Sequence, residues 1–399
     1  MRVLYLNHNV AGSGTYQRAV NFGRELTNRG HDVTLVTTSR TNRSRGTERD
    51  VGGVQVIESP DLLVAGARNG WDPWNTSWRL RRLRDEKFDL IHAFDCRPAV
   101  IAPALVQQRR TGAPLFIDWA DWWGRGGTIA ERSGWLMRTL FGPVETWFEE
   151  AFRRDAVANT TISEPLRDRC VGLGVDPARI RVLPNGCREP FEVPGGRAGA
   201  RLRCRAGDDP LIVHLGVIHQ RDATMLFDAF RVLRAAMPGA QLALLGHYRG
   251  RVPRDVEAGI RRTGYLSDED LCDWLVAADV GVIPLRDNVA HRARWPGKVN
   301  EYLSAGLPVV LPDVGAAAQW VASAGAGQVC EPSSDALASA MIDVVESPEA
   351  HVRMAAAART LAAGPLSWQR IGSSLMDFYE EWAAPDDVGA AATGVTGVT

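Results

Sequence analysis

The sequence predicts an α/β protein in which two Rossmann-like, doubly wound parallel-sheet domains face each other across a cleft. The chain has 399 residues, which is enough for two domains. Short apolar runs typical of buried strands alternate with helical patterns in both halves, and one stretch rich in Gly, Pro and Arg separates the two series. This alternation implies right-handed crossovers and sheets with helices on both faces.

The first domain is predicted to cover residues 1–187. Its first helix, residues 14–29, ends at Gly30, and helical patterns lie between most of its strands. The candidate strands are residues 3–7, 32–38, 54–59, 88–93, 114–120, 156–163 and 180–185.

Residues 188–208 show no clean period and are predicted to be a linker. The second domain then covers residues 209–365. Residues 366–382 predict a C-terminal helix that packs back on the first domain, and residues 383–399 are small, aperiodic and expected to form a flexible tail. The second-domain strands are predicted at 210–216, 241–246, 261–266, 279–285, 308–313 and 327–332, with helices at 222–236, 268–277 and 297–305.

Charge and cysteine content exclude several classes of protein. Lys plus Arg is 46 and Asp plus Glu is 47, so the formal charge of -1 argues against a nucleic-acid binder with a broad basic surface. The six cysteines are widely spread and read as reduced thiols. The N-terminus lacks a secretory signal pattern, and no run approaches the roughly 18 apolar residues of a spanning helix. A cytoplasmic protein is expected.

A glycine loop follows the first strand. Gly12 and Gly14 precede a helix, where backbone N–H groups can approach a phosphate or a sugar. The position three beyond Gly14 is Gln17, and the second strand ends without an acidic residue, so the dinucleotide fingerprint does not fit. A tight turn made of small residues is the alternative interpretation.

Other catalytic motifs are missing from the sequence. It has no P-loop, no G-x-S-x-G elbow and no zincin motif. The acidic run Asp268-Glu269-Asp270 follows Ser267 and opens a helical stretch, which favours helix capping over metal ligation.

The segment HRARWPGKVNEYLSAGLP carries the second candidate site. Lys298 and Glu301 are three apart near the start of a helix, and therefore share one helix face. A cation that meets phosphate and a carboxylate that accepts ribose hydroxyls suit a nucleoside diphosphate. A surface Glu–Lys pair is the alternative. The chain has only two lysines, and Lys87 is the other.

These segments together resemble the retaining, nucleotide-sugar-dependent glycosyltransferases of the GT-B type, in particular glycosyltransferase family 4. The resemblance covers the chain to about residue 382. Its carriers are GSGTYQRAVNFGRELTNRGHDVTLVT, FDLIHAFDCRP, PNG at 184–186, HLGVIHQRDATMLFDAF, LLGHYRG, GYLSDEDLCDWLVAADVGVIPL, PGKVNEYLSAGLPVVLPDVG and LSWQRIGSSLMDFYEEW.

The resemblance assigns roles to individual residues. Glu301 matches the second Glu of the family's paired-Glu motif, which grips the nucleotide ribose, while Lys298 and Arg221 match basic residues around the donor diphosphate. Gly12 and Gly14 match the loop that closes over donor and acceptor. The turn at Gly315 matches a loop whose amides approach the donor.

Three positions depart from the family pattern. Ala293 replaces the first Glu of the motif, and Val217 stands where an Arg usually follows the glycine of the first C-terminal strand. IDWADWW stands where a His is common, which leaves Asp118 or Asp121 as the candidate polar group. Arg292 and Arg294, upstream of P-x-K-x-x-E, suggest a variant donor site, with Arg294 among its cations.

The resemblance implies transfer from a UDP-, GDP- or TDP-linked sugar, with retention and without a metal cofactor. The acceptor is a small molecule, a glycan or a lipid-linked compound. A nucleotide-sugar epimerase, a sugar phosphorylase and a non-catalytic partner protein with this fold remain alternatives.

Aromatic and basic residues in the first half bear on the acceptor. Tryptophan faces suit sugar rings, and Trp135, Met137, Leu140 and Trp147 are expected in the core. The arginines of WRLRRLRDE are interpreted as a solvated helix face, with peripheral membrane contact not favoured. The tryptophans of this half are at 71, 74, 78, 119, 122, 123, 135 and 147, and the arginines at 79, 81, 82 and 84.

Overall fold

A computed structural model describes residues 1–62, 69–132 and 134–383 and contains two sheets, as the sequence predicts. The first sheet has eight strands in the spatial order β3-β4-β2-β1-β5-β6-β7-β8. Neighbouring strands are parallel except for the β3–β4 hairpin. The strands are β1 (Arg2–Val10), β2 (Asp32–Thr38), β3 (Thr47–Val51), β4 (Val54–Ser59), β5 (Leu90–Phe94), β6 (Leu115–Trp119), β7 (Ala158–Thr161) and β8 (Ile180–Val182).

Six α-helices accompany this sheet in the described part of the first half. Apolar side chains from both faces of the sheet and from these helices form its core. The helices are α1 (Thr15–Thr27), α2 (Pro73–Arg82), α3 (Pro98–Thr111), α4 (Thr128–Arg132), α5 (Trp135–Glu150) and α6 (Glu164–Gly172).

The second sheet has six parallel strands in the order β11-β10-β9-β12-β13-β14. Its strands are β9 (Leu211–Leu215), β10 (Gln241–Leu245), β11 (Ile260–Gly264), β12 (Val280–Val282), β13 (Val309–Pro312) and β14 (Gly327–Cys330). The remaining helices are α7 (Gly196–Cys204), α8 (Gln220–Ala236), α9 (Asp268–Ala277), α10 (Val289–Ala293), α11 (Lys298–Ala305), α12 (Ala316–Ala324), α13 (Ser334–Glu346), α14 (Pro348–Ala363) and α15 (Trp368–Ala383).

The predicted linker contains a helix. Residues 188–208 are predicted to be a linker because they show no clean period, but α7 lies within them and packs on α9. Arg203 joins the two helices by a bidentate ion pair with Asp273, with both N···O distances at 2.6 Å. The sequence did not predict this helix because its glycines lower helix propensity. Contacts with the rest of the fold can still stabilise a helix of low propensity.

The C-terminal helix packs on the first half, as predicted. Phe378 of α15 is fully buried and meets Phe116 of β6 edge to face, and the Tyr379 hydroxyl lies 3.2 Å from that of Tyr5 in β1. Before α15, the chain returns from the second half to the first beside the segment at Cys187, where it had passed from the first half to the second. There, the Cys187 N–H donates to Leu366 O at 2.6 Å. Of the predicted tail, only Ala383 lies inside the described residues.

The structure overturns two predictions about side chains of the first half. Trp135, Leu140 and Trp147 are 71%, 66% and 56% exposed, so they do not form core between helix and sheet. The inner face of α5 carries other aromatic side chains, including Phe148, which packs against Trp71. Arg79 is fully buried, where it donates to backbone oxygens of β1 and α3, so it is not part of a solvated helix face.

The described helices are all too short or too polar to cross a membrane.

Replacing Phe378 tests the docking of α15. We expect Phe378→Ala to lower the free energy of unfolding by about 3–5 kcal/mol, because truncating a buried aromatic side chain leaves a cavity. Urea unfolding monitored by tryptophan fluorescence measures the change. Val352→Ala on α14, where Val352 is 67% exposed, is the matched control and should change stability little. Equal stability of the two variants would contradict the observed packing.

Candidate active site

A cleft of about 900 Å³ lies between the two halves of the molecule. Its first wall is formed by the glycine loop, α1 and the segment after β6, and its second wall by the segment after β9 and the first turns of α11. Both walls therefore include the carboxyl ends of parallel strands, where α/β folds place ligands. Its lining includes Gly12, Gly14, Arg18, Asp121, Asn185, Arg188, Gly216, Asp268, Lys298, Asn300 and Glu301.

The glycine loop is held against the end of β1 by two asparagines. The Asn9 Oδ1 accepts the Thr15 N–H at 3.0 Å, and the Asn7 Nδ2 donates to Thr15 Oγ1 at 2.7 Å. Gly14 has φ 59°, and a Cβ there would lie 2.6 Å from the Asn9 side chain, so this position requires glycine. The loop is a defined turn, and it also leaves Gly12 and Gly14 facing the cleft. The two interpretations of the sequence, a tight turn and a binding loop, are therefore compatible.

A buried ion pair supports the first wall. Arg18 of α1 grips both carboxylate oxygens of Asp118, with Nη2 to Oδ1 at 2.9 Å and Nε to Oδ2 at 3.0 Å. The Thr160 hydroxyl adds a hydrogen bond to Oδ1 at 2.6 Å. Burial would raise the pKa of Asp118, but the Arg18 charge and these hydrogen bonds hold it below its usual value.

The two candidate aspartates of the first half have different positions. Asp118 is 1% exposed and its carboxylate is fully engaged behind Arg18, so the structure does not bring it to the cleft surface as a direct contact to sugar or acceptor. Asp121 lies on the loop that follows β6 and lines the cleft. Arg18 reaches the cleft in place of Asp118, and its Nη1 donates to Pro184 O at 3.2 Å.

Lys298 lies on the second wall, half-buried at the start of α11. Its Nζ is 3.1 Å from His214 Nε2 and 3.4 Å from Val217 O. His214 is 2% exposed, and its Nδ1 lies 3.1 Å from Val282 O. That carbonyl can only accept, so Nδ1 carries the proton and Nε2 accepts from the lysine.

The surroundings of Lys298 disfavour its charge. Burial, and after it the positive charge of Arg294, lowers the pKa of Lys298 to about 7, while Asp222 opposes the shift. Burial, and then the Lys298 charge, keeps the pKa of His214 well below its usual value. A bound diphosphate would give the protonated Lys298 amine a negatively charged partner and so favour its charged form.

Glu301 lies one turn further along α11 and pairs with Arg188, at 3.0 Å from Nη2 to Oε2. Burial raises the pKa of Glu301, and Arg188 opposes that shift. Arg188 also contacts Asp268 at 3.3 Å. The two acidic groups and the arginine thus form one polar edge of the cleft.

The acidic run that begins at Asp268 caps a helix, as its position after Ser267 suggests. The Ser267 Oγ accepts the Asp270 N–H at 3.0 Å and donates to Asp270 Oδ2 at 2.7 Å. In the described part of the chain, no cluster of three His, Cys, Asp or Glu side chains is placed to hold a metal ion.

Three predicted donor residues lie outside the cleft lining. Arg221 is exposed in the first turn of α8, and Gly315 precedes α12 with φ 78°. A Cβ at Gly315 would lie 3.0 Å from Arg292 O, so the glycine allows close packing against the last turn of α10. Arg294 is half-buried beside Lys298 and acts on it through its charge.

Ala293, where the family motif has its first Glu, is fully buried at the contact between the halves. The Ser163 hydroxyl donates to Ala293 O there. The position therefore joins the two domains and does not face the cleft.

Four contributors to the cleft escaped sequence analysis. Arg18, His214 and Arg188 act through partners distant in the chain, which no local pattern reveals. Asn300 is 5% exposed, and its Nδ2 donates to Asn185 O at 2.8 Å across the crossing point of the two halves. A polar residue on a largely apolar buried helix face, as Asn300 is in α11, was the one sequence signal of this contact.

Family models and relatives agree with this architecture. A model described as glycosyl transferase 4-like domain matches residues 13–186, and one described as glycosyl transferases group 1 matches residues 209–347. The chain belongs to the glycosyltransferases with the GT-B fold. This confirms both the fold class and the family resemblance of the sequence.

Individual relatives cover most of this glycosyltransferase. Glycogen synthase of Mycobacterium tuberculosis is 26% identical over 88% of this chain and 86% of its own. A GDP-mannose-dependent phosphatidylinositol monomannoside mannosyltransferase of Mycolicibacterium smegmatis is 28% identical over 82% of this chain and 84% of its own.

Solved structures share the fold at low identity. Sucrose-phosphate synthase of Thermosynechococcus elongatus matches with a TM-score of 0.73 at 16% identity, covering 96% of this chain and 99% of its own. Anabaena HepE in complex with UDP-glucose matches with a TM-score of 0.68 at 14% identity, covering 96% and 100%.

Removing one partner of the buried pair should destabilise the protein strongly. We expect Asp118→Ala to lower the free energy of unfolding by about 3–5 kcal/mol, since it leaves the Arg18 charge buried without its carboxylate. Replacing both residues, as Arg18→Met with Asp118→Leu, should cost less than the single change. Urea unfolding measures both, and a single variant within about 1 kcal/mol of wild type would contradict the pairing.

Lys298 should make nucleotide binding depend on pH. A diphosphate favours the protonated amine, so above the pKa of about 7 binding must take up a proton. Affinity for a nucleoside diphosphate should then fall by up to about tenfold per pH unit as pH rises above 7. Calorimetry in buffers of different ionisation enthalpy measures the uptake.

Lys298→Arg is the control for this coupling. Its guanidinium stays charged throughout, so the proton uptake should vanish. The bulkier fork cannot reproduce the fit to His214, so activity should also fall. Wild-type affinity that is constant from about pH 7.5 to 9 would refute the coupling.

Proposed function

We propose that this glycosyltransferase moves a sugar from a nucleoside-diphosphate sugar to an acceptor hydroxyl, with retention of configuration and without a metal cofactor. The observation that carries the proposal is the pairing of Lys298 and Glu301 on one face of α11, directed into a cleft whose opposite wall is a glycine loop. Relatives whose names include GDP-mannose and a neighbour bound to UDP-glucose support a nucleotide-sugar donor. The cytoplasmic location expected from the sequence belongs to the same proposal.

The donor diphosphate would lie against Lys298. Departure of the diphosphate builds negative charge on the leaving oxygen while the sugar becomes oxocarbenium-like. The Lys298 amine, the nearby Arg294 charge and the N-terminal amides of α11 all stabilise that charge. His214 orients the Lys298 amine by accepting a hydrogen bond from it. Because the His214 ring is neutral, it does not neutralise the lysine charge that the diphosphate would bind.

The ribose would lie against Glu301. Its carboxylate can accept two vicinal hydroxyls, and Arg188 holds it in place at 3.0 Å. Gly216, with φ 77°, leaves room for the donor beside Lys298.

The acceptor would approach from the first wall. Asp121 and the glycine loop lie on that side, and Asp121 is the carboxylate there that can contact an acceptor hydroxyl. Asp118 contributes indirectly by fixing Arg18. Closure of the walls would exclude water and so suppress donor hydrolysis.

A donor panel tests the proposal. Calorimetry with UDP, GDP, ADP and TDP should show binding of at least one nucleotide, and Glu301→Ala should weaken it by about tenfold or more by removing the ribose acceptor. Glu269→Ala on α9, where Glu269 is exposed, is the matched control. Absence of binding to every nucleotide, or full turnover by Glu301→Ala, would refute the assignment.

Product analysis tests the finer statements. NMR of the product anomer should show retention, and turnover should survive excess EDTA. Incubating the donor alone and then with phosphate separates transfer from epimerisation and phosphorolysis.

A further inference from the structure

A basic loop stands beside the glycine loop at the cleft edge of the first sheet. It comprises residues 39–46, follows β2, and exposes the side chains of Arg40, Arg43 and Arg45. We call it the arginine loop. The Ala11 N–H donates to Thr38 O at 2.9 Å, and the next residue after Ala11 is the cleft-lining Gly12. The arginine loop therefore begins immediately beside the first wall.

The arginine loop has a defined shape. The Ser39 Oγ accepts the Asn42 N–H at 3.2 Å, and the Asp61 N–H donates to Asn42 O at 3.0 Å. Gly46 lies so close to the Trp78 ring that a Cβ would approach its Cζ2 to 2.3 Å. These contacts fix both ends of the loop. The three arginine side chains therefore extend from a backbone of defined conformation.

The charges of the arginine loop are not neutralised within the described residues. None of its three arginines forms an ion pair with a described carboxylate, although the whole chain is nearly neutral. Two of the three acids of the adjacent hairpin already form ion pairs with other arginines, and the third, Asp50, accepts the Gly53 N–H of the turn. The pairs are Glu48 with Arg82 and Glu58 with Arg49, each at 3.0 Å.

We propose that the arginine loop binds a phosphate group of the acceptor, which makes the acceptor a phosphorylated sugar or polyol, or the headgroup of a phospholipid. Guanidinium groups match phosphate oxygens in charge and in bidentate geometry. The donor diphosphate is assigned to Lys298 on the opposite wall. The arginine loop is a second cationic group, on the acceptor side, and would therefore bind a different phosphate, that of the acceptor. The inference rests on the proposed function, because only a transferase has an acceptor.

The test measures binding with the donor site already saturated by the nucleotide identified in the panel. The soluble probes are glucose 6-phosphate against glucose and inositol phosphate against inositol. The membrane probes are phosphatidylcholine vesicles with and without phosphatidylinositol. The phosphorylated member of at least one pair should bind more tightly, and the pair that responds identifies a soluble or a lipid acceptor.

Two triple variants identify the surface responsible. Replacing Arg40, Arg43 and Arg45 with Ser should weaken binding of the phosphorylated probe by about tenfold or more and leave nucleotide binding unchanged. The matched control replaces Arg84, Arg109 and Arg110, which are exposed and lie near the amino-end edge of the same sheet. It changes the net charge equally and should leave probe binding unchanged.

The outcomes separate this inference from the proposed function. If no phosphorylated probe binds more tightly than its counterpart, or if both triple variants weaken binding equally, the arginine loop is not an acceptor site. Nucleotide binding and turnover with other acceptors would then still stand. Failure of every nucleotide to bind would instead remove the transferase assignment on which the inference rests.

Discussion

The buried ion pair between Arg18 and Asp118 is the interaction on which the first wall of the cleft depends. Two charges at 2% and 1% exposure are tolerated only because the guanidinium and carboxylate meet through two hydrogen bonds and have further partners. The pair joins α1 to β6, and its outer contacts reach β7 and the segment at Pro184, where the chain leaves the first half. A buried charge has few alternative positions, so the pair fixes the α1 face that lines the cleft.

The second wall uses a contrasting arrangement. Lys298 faces neutral His214 and a carbonyl oxygen, and Arg294 adds repulsion, so the amine has no carboxylate within ion-pair distance among the described residues. The Arg18 and Asp118 charges on the first wall thus neutralise each other, while the Lys298 amine on the second wall can gain a negatively charged partner. This difference agrees with a first wall that positions and a second wall that binds an anion.

Much of the fold could be predicted from the sequence, because buried parallel strands leave continuous apolar runs and glycines mark their ends. The strand β3, which reads TERDV and is mostly exposed, gave no such signal and is formed by pairing with β4. For the site, Lys298 and Glu301 could be found because one helix turn brings them together. Arg18 and His214 could not, since their meaning depends on Asp118 and Lys298, which are 100 and 84 residues away. Trp135 shows the opposite case. Its apolar side chain on a helix predicted a core position, but the structure leaves it exposed.

The return of α15 to the first half has a consequence for biosynthesis. Phe116, Tyr5 and His92 lose contact with water only when residues near Tyr379 arrive, and these are translated after the whole second half. At roughly 5–20 residues per second, the gap between residue 187 and residue 379 lasts on the order of 10–40 seconds. During that interval the nascent first half keeps an uncovered aromatic surface, so its final folding step must follow the synthesis of the other domain. The first half therefore depends on the C-terminal residues for its last apolar contacts, although each sheet is built from contiguous sequence.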